Sequence, residues 1–219
     1  MNSLNDPKVQ AVLAREHELA KGDTARLAGR RAQIDAAKAD GSFTYDLYPN
    51  DVYLSIEPTM GEFLNLSARA ICAKTIVEFG SSFGISTIYL AAAARDLGAT
   101  VIGSELEESK AEKARANLEE AGLSEYTEIR VGDAMETLKN INGPVDMLFL
   151  DGWKDLYVPV AKMMEPKLRA GSLILADNIR TFPDELNSYL EHVSRPDGPY
   201  ASITLPFESG LGYSLYTGG

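Results

Sequence analysis

Two apolar runs in this chain end in groups that can do chemistry. Leu148-Phe-Leu-Asp-Gly-Trp-Lys-Asp-Leu-Tyr157 delivers Asp151 and Lys154 to one spot, and Leu173-Ile-Leu-Ala-Asp-Asn178 delivers Asp177 and Asn178. Each reads as a short buried strand ending in acceptors, and in open parallel α/β sheets ligands bind beyond the carboxyl ends of the strands. The two ends can therefore share one site. Plainer readings stand beside this one: the acids as helix caps or loop residues, Lys154 as a solvated partner of Asp155, and Trp153 as a core aromatic.

A second constellation lies upstream. Ile76-Val-Glu-Phe-Gly-Ser-Ser-Phe-Gly-Ile-Ser-Thr-Ile88 reads as a strand, a tight glycine turn and a helix start. Glycines there permit positive φ and let a ligand approach the backbone. The turn is similar to a dinucleotide fingerprint, except that Ser82 stands at the second glycine position and the third glycine is absent. Glu105 closes the next strand, about where a ribose would lie. Asp133 caps a helix from Ala134, borders an adenine, or does both. Glu78, a carboxylate inside an apolar strand, needs a donor, which backbone amides of the glycine loop or a cationic ligand would supply.

Elements must position these groups. From Thr75 onward, apolar runs of strand length alternate with amphipathic helices, the pattern of a parallel sheet with covering helices. Strands are expected at Thr75–Phe79, Thr100–Ser104, Thr127–Val131, Val145–Leu150 and Ser172–Ala176. The intervening helices are expected at Ile85–Leu97, Glu107–Ala121, Ala134–Asn140 and Leu156–Leu168, with a last one at Asp184–Val193. Tyr200–Leu205 and Gly212–Tyr216 are joined by a linker too short for a crossover helix, so they form an antiparallel pair. Upstream, residues 7–39 read as two helices broken at Gly22-Asp23, with Asp23 as N-cap, that pack on the core or on a second subunit. Residues 41–53 form a loop with three tyrosines that lies over a site mouth or ties the appendage to the core. Pro58 opens a further helix.

The bulk numbers narrow the partners. A length of 219 residues with 45% hydrophobic content suits one soluble globular domain. A net charge of -11 argues against a general nucleic-acid binder. No apolar run approaches the ~20 residues of a membrane span, and the start lacks a basic flank and an apolar run. Cys72, the single cysteine, excludes a disulfide framework, points to a cytoplasmic setting, and reads as core within a helical stretch. His17 and His192 fall in expected helices away from the strand ends and are read as surface or packing residues.

Taken together, Glu78-Phe-Gly-Ser-Ser-Phe-Gly84, Glu105, Asp133-Ala134, Asp151-Gly-Trp-Lys154 and Asp177-Asn178 resemble the class I S-adenosylmethionine-dependent methyltransferases. More narrowly, they resemble the metal-dependent O-methyltransferases typified by catechol O-methyltransferase. The similarity runs from about Ile56 to Tyr216, and Asp-x-Trp-Lys-Asp-x-Tyr-x-Pro at 151–159 is its most specific portion.

The resemblance implies an α/β Rossmann-like methyltransferase fold. Its mostly parallel seven-stranded sheet would be flanked by helices and end in an antiparallel strand pair. Residues 1–56 would be a helical appendage and 57–219 the S-adenosylmethionine-binding domain. It further implies that Glu78, Gly80, Ser81, Ser82, Gly84 and Ser86, with the backbone near Ile56, surround the methionine portion of the cofactor. Glu105 would hold the ribose, and Asp133 and Ala134 would border the adenine. Asp151 would lie between cofactor and metal, and Asp151, Asp177 and Asn178 would bind a divalent cation, magnesium in most of the family. Trp153 and Leu54 would wall the acceptor, and Lys154 would be the base.

The implied partners are a small aromatic acceptor and, through the N-terminal helices, a second copy of the chain; neither nucleic acid nor membrane is expected. Catechol O-methyltransferase carries a late glutamate that bonds the second catechol hydroxyl; here Thr204–Leu211 is shortened and Glu208 is the candidate. Segment 41–53 has no counterpart, so acceptor choice is expected to be set there. Two other functions remain open at this point. One is methyl transfer to nitrogen or a lone hydroxyl without a catalytic metal, and the other is a nucleotide-binding or oligomerisation module without chemistry.

Overall fold

The computed structural model describes residues 2–44 and 47–218. Tyr45, one of the three loop tyrosines, lies outside the described residues. Seven strands form one sheet in the order β3-β2-β1-β4-β5-β7-β6. They are β1 Thr75–Phe79, β2 Thr100–Glu105, β3 Thr127–Val131, β4 Val145–Leu150, β5 Leu168–Ala176, β6 Tyr200–Leu205 and β7 Leu211–Tyr216. The first five pair in parallel, while β7 runs antiparallel to both β5 and β6.

Alternation of side chains along each strand builds two cores. Ile76, Met147, Phe149, Leu173 and Leu175 face one side, under α1 Pro7–Ala20, α4 Pro58–Ala70, α5 Ile85–Leu97 and α6 Glu108–Glu120. Val77, Phe79, Leu148, Leu150 and Ile174 face the other, under α7 Ala134–Thr137, α8 Tyr157–Met164 and α9 Asn187–Val193. Central strands buried on both faces explain why β4 reads as an unbroken apolar run apart from Asp146.

Several boundaries differ from expectation, each for a physical reason. The α7 helix stops at Thr137, whose carbonyl accepts from Arg130 Nη1 at 2.7 Å instead of from a following helical amide. The α8 helix ends at Met164 because Pro166 has no amide to donate, and a 3-10 turn, Glu165–Lys167, follows. Residues 183–186 form a turn, closed by the Asn187 amide donating to the Asp184 carbonyl at 3.4 Å, so the last helix begins at Asn187.

Among the described residues the appendage has three α-helices, not the two expected: α1, α2 Asp23–Ala28 and α3 Arg31–Asp40. Val9, Val12 and Leu13 of α1 are buried against the chain's own core. Gly22, not Asp23, holds the N-cap position of α2, and no side chain caps that helix. Cys72 is exposed in the turn after α4, correcting its reading as core. Among the described residues no helix is long and apolar enough to cross a membrane.

Candidate functional site

Strand order reverses between β1 and β4, and that switch point opens a crevice at the carboxyl edge of the sheet. Phe79 and Leu150 are paired as the last residues of these strands. The Asp151 amide donates to the Phe79 carbonyl at 2.8 Å, and the Asp177 amide donates to the Leu150 carbonyl at 2.9 Å. Asp151 and Asp177 are thus fixed side by side by their own backbones. Gly80 makes the approach possible: its φ is +94°, and a Cβ there would sit 2.6 Å from the Asp151 carbonyl oxygen.

Both acids are removed from water. Burial pushes the Asp151 carboxyl well above the ordinary range, and the neighbouring Asp177 carboxylate pushes it further. Burial raises Asp177 as well, against the hydrogen bonds it accepts from the Ser209 hydroxyl and, at 2.6 Å, the Asn178 amide. Asn178 has φ +68°, the left-handed conformation that asparagine tolerates better than most residues. Among the described residues no three His, Cys, Asp or Glu side chains gather as a metal cage. The donors here are two carboxylates and a carboxamide, hard oxygen groups suited to magnesium or calcium, and a cation would relieve the repulsion between the buried acids.

The lysine stands beside them. Lys154 Nζ donates to the Gly152 carbonyl and to the Tyr157 hydroxyl, each at 2.9 Å, and lies 3.7 Å from Asp151 Oδ1. The Tyr157 hydroxyl passes the link to the Asp177 carbonyl at 3.2 Å. Burial lowers the pKa of the Lys154 amine, opposed by the attraction of Asp151 and Asp177.

At the other end of the crevice the glycine turn works with a serine in glycine's place. Ser82 takes φ +46°, and its amide donates to Glu105 Oε2 at 2.7 Å, while the Glu107 amide donates to Glu105 Oε1 at 3.0 Å. Glu78 receives hydroxyls, not the expected backbone amides: Ser81 Oγ at 2.7 Å and Thr87 Oγ1 at 2.5 Å both reach Oε2. Its Oε1 is buried with no hydrogen-bond partner among the described residues, and burial pushes this carboxyl up.

These groups line one cavity of about 1400 Å³. Its wall includes Ile56, Gly80, Ser81, Ser82, Ser86, Glu105, Asp133, Ala134 and Asp151. Leu54, Trp153, Lys154, Asp177, Asn178 and Glu208 also line it. Glu78 and Gly84 lie behind this wall: Glu78 is fully buried, and Gly84 caps α5 with φ +85°. Asp133 does cap α7, accepting from the Met135 amide at 2.8 Å, while facing the cavity.

Segment 41–53 meets both of its expected uses. Phe43 and Tyr48 line the cavity, and their ring centroids lie 6.4 and 5.4 Å from that of Trp153. Tyr53 also lines the cavity and ties the appendage to the core, stacking on Phe83 at 4.1 Å and donating its hydroxyl to the buried Glu16 at 2.8 Å. His17 Nε2 lies 3.1 Å from the Tyr89 hydroxyl and His192 Nε2 lies 2.7 Å from Glu165, both outside the cavity lining. Sequence reasoning missed Ser209 and Phe182, which also line the cavity; no local pattern marks either, because each is brought there by tertiary structure alone.

Comparison with known proteins bears on the same residues. A family model described as a methyltransferase domain matches residues 77–179. Catechol O-methyltransferase of Mycobacterium tuberculosis is 34% identical over 176 residues, covering 80% of this chain and 73% of that protein. Catechol O-methyltransferase of Niastella koreensis is 36% identical over 130 residues, 58% of each chain. Among solved structures, an O-methyltransferase of Streptomyces achromogenes involved in tomaymycin synthesis, in complex with S-adenosylmethionine, superposes with a TM-score of 0.68. It is 26% identical and covers 92% of this chain and 99% of its own.

Proposed function

The chain belongs to the S-adenosylmethionine-dependent O-methyltransferases related to catechol O-methyltransferase, and on that footing we propose that its acceptor is a small aromatic with two neighbouring hydroxyls and that Asp151, Asp177 and Asn178 hold a divalent cation, magnesium in our reading. The observation that carries this is the pair of buried acids, Asp151 and Asp177, held side by side by backbone bonds although burial raises both carboxyls and the Asp177 carboxylate raises Asp151 further.

S-adenosylmethionine supplies the methyl as a sulfonium-bound carbon that exchanges sulfur for oxygen. A bound cation supplies Lewis-acid polarisation that favours the phenolate over the phenol. The chain's own residues do the rest. Ser209 and the Asn178 amide orient Asp177. Lys154 Nζ takes the phenolic proton, because burial favours its neutral form. Trp153 and Leu54 wall the acceptor ring and exclude water, with Phe43 and Tyr48 beside Trp153.

Glu105, pre-oriented by two backbone amides, receives the ribose hydroxyls with its remaining lone pairs. Asp133 and Ala134 border the adenine. Gly80, Ser81, Ser82, Ser86 and Ile56 surround the methionine portion, and Glu78 acts from behind by fixing the Ser81 and Thr87 hydroxyls. Gly84 shapes the turn at the start of α5.

Turnover of a vicinal dihydroxy aromatic and of its single-hydroxyl analogue tests the acceptor class. The paired-hydroxyl compound is expected to be methylated at least tenfold faster, a lower bound on a discrimination that reaches about 10⁴–10⁵-fold where a site is built to bind the missing polar group. Equal rates on the two would contradict it and favour a lone-hydroxyl acceptor.

A further inference from the structure

We propose that Asp23, in the N-terminal appendage, is a positioning residue for S-adenosylmethionine: it anchors the strap 52–54 against the glycine turn and so makes cofactor affinity depend on the N-terminal helices. The proposal rests on the family's cofactor and on neither the cation nor the acceptor.

Asp23 is the first residue of α2 but spends its carboxylate elsewhere. Both its oxygens lie 3.0 Å from the Tyr53 amide, and Oδ2 accepts from the Leu54 amide at 2.8 Å. Arg26 Nη1 donates to Oδ1 at 2.9 Å, which balances the charge and fixes the carboxylate plane. The backbone being held is an unfavourable one. Leu54 has φ +49°, a left-handed conformation uncommon for a residue with a side chain, and such geometry persists where surrounding bonds over-determine it.

The other side of the strap is tied to the cofactor end of the crevice. Ser82 Oγ donates to the Tyr53 carbonyl at 2.9 Å, and Lys110 Nζ donates to the Val52 carbonyl at 2.9 Å. Ser82 is the serine whose own amide holds Glu105. An unbroken series of hydrogen bonds therefore runs from Asp23 through residues 53–54 to Ser82 and Glu105. Leu54 and Ile56 line the cavity together with Ser82 and Glu105, so a displaced strap moves one cavity wall relative to another. Without these ties, residues 52–56 would be an ordinary loop between α3 and α4, free to sample other positions. Pre-ordering that loop removes an entropic cost from cofactor binding.

Titration calorimetry with S-adenosylhomocysteine, paired with steady-state kinetics, tests this on the full chain. Asp23→Asn keeps the shape but removes the charge and one acceptor. It is expected to raise the dissociation constant and the KM for S-adenosylmethionine about tenfold, while kcat at saturating cofactor changes by less than about threefold. Asp96→Asn is the structural comparison. Asp96 ties Ser3 and Arg69 to α5 away from the strap, so its loss should lower the melting temperature and leave the dissociation constant within about twofold. Lys110→Met, which frees the Val52 carbonyl, gives a second reading of the strap and should weaken binding in the same direction. Affinity unchanged in both Asp23→Asn and Lys110→Met, or weakened equally by Asp96→Asn, would overturn the assignment.

Discussion

Lys154 sits between opposing pulls, burial favouring its neutral form and Asp151 and Asp177 favouring the ammonium. A base placed this way should be needed for the chemical step and not for cofactor binding. Lys154→Ala is therefore expected to lower turnover about 10²–10⁴-fold, the usual worth of a positioned proton acceptor. The S-adenosylhomocysteine dissociation constant, read by calorimetry, should stay within about threefold. Turnover unchanged by the substitution would remove Lys154 as the base.

At this scale the sequence was informative where a side chain follows a strand directly. Asp151, Asp177 and Asn178 could be read because each sits at or just past the end of an apolar run, where the sheet's pairing leaves it at the crevice. Ser209 could not be read, because it reaches Asp177 from 32 residues away through the loop between β6 and β7. Asp23 reads in sequence as a helix cap, since an aspartate after a glycine break looks the same whether it bonds its own helix or a distant loop.

Elements are joined at the opposite edge of the sheet by another acid. Asp146, at the start of β4, accepts from the Lys74 amide at 2.6 Å, the Thr75 amide at 3.0 Å and Arg169 Nε at 2.6 Å, and so ties β1, β4 and β5 together. Burial pushes its carboxyl up, but these donors outweigh burial and hold it below the ordinary carboxylate range. A depressed folded pKa gives stability that is present above the unfolded value and lost as pH falls through the folded one.

The free energy of unfolding is thus expected to decline below about pH 4. Asp146→Asn should cost about 1–3 kcal/mol at neutral pH and flatten that decline. Urea unfolding at pH 7 and pH 3.5 would check both, and an unchanged acid slope would reject Asp146 as a contributor. The central strands were legible in sequence because double burial makes β4 and the end of β5 nearly apolar, whereas helix ends shifted where Pro166 or the Arg130 contact to Thr137 intervened.

Across the whole molecule, the sheet gathers chemistry at one edge and structural ties elsewhere. The switch point between β1 and β4 brings the glycine turn and Asp151 into contact, β5 adds Asp177, and the appendage closes the cavity with Phe43, Tyr48 and Leu54. The fold class was readable from the alternation of strands and helices. The appendage's role was not, because its link to the site runs through backbone amides of residues 53–54 that no side-chain pattern records.

On the proposed function, the two buried acids Asp151 and Asp177 hold a cation that activates the acceptor. Methylation of a vicinal dihydroxy aromatic by protein stripped with a chelator, then resupplied with magnesium, tests this most directly. Stripping is expected to abolish turnover, magnesium to restore it in the wild type, and Asp177→Asn to fail to recover. Full turnover with the chelator present would contradict it.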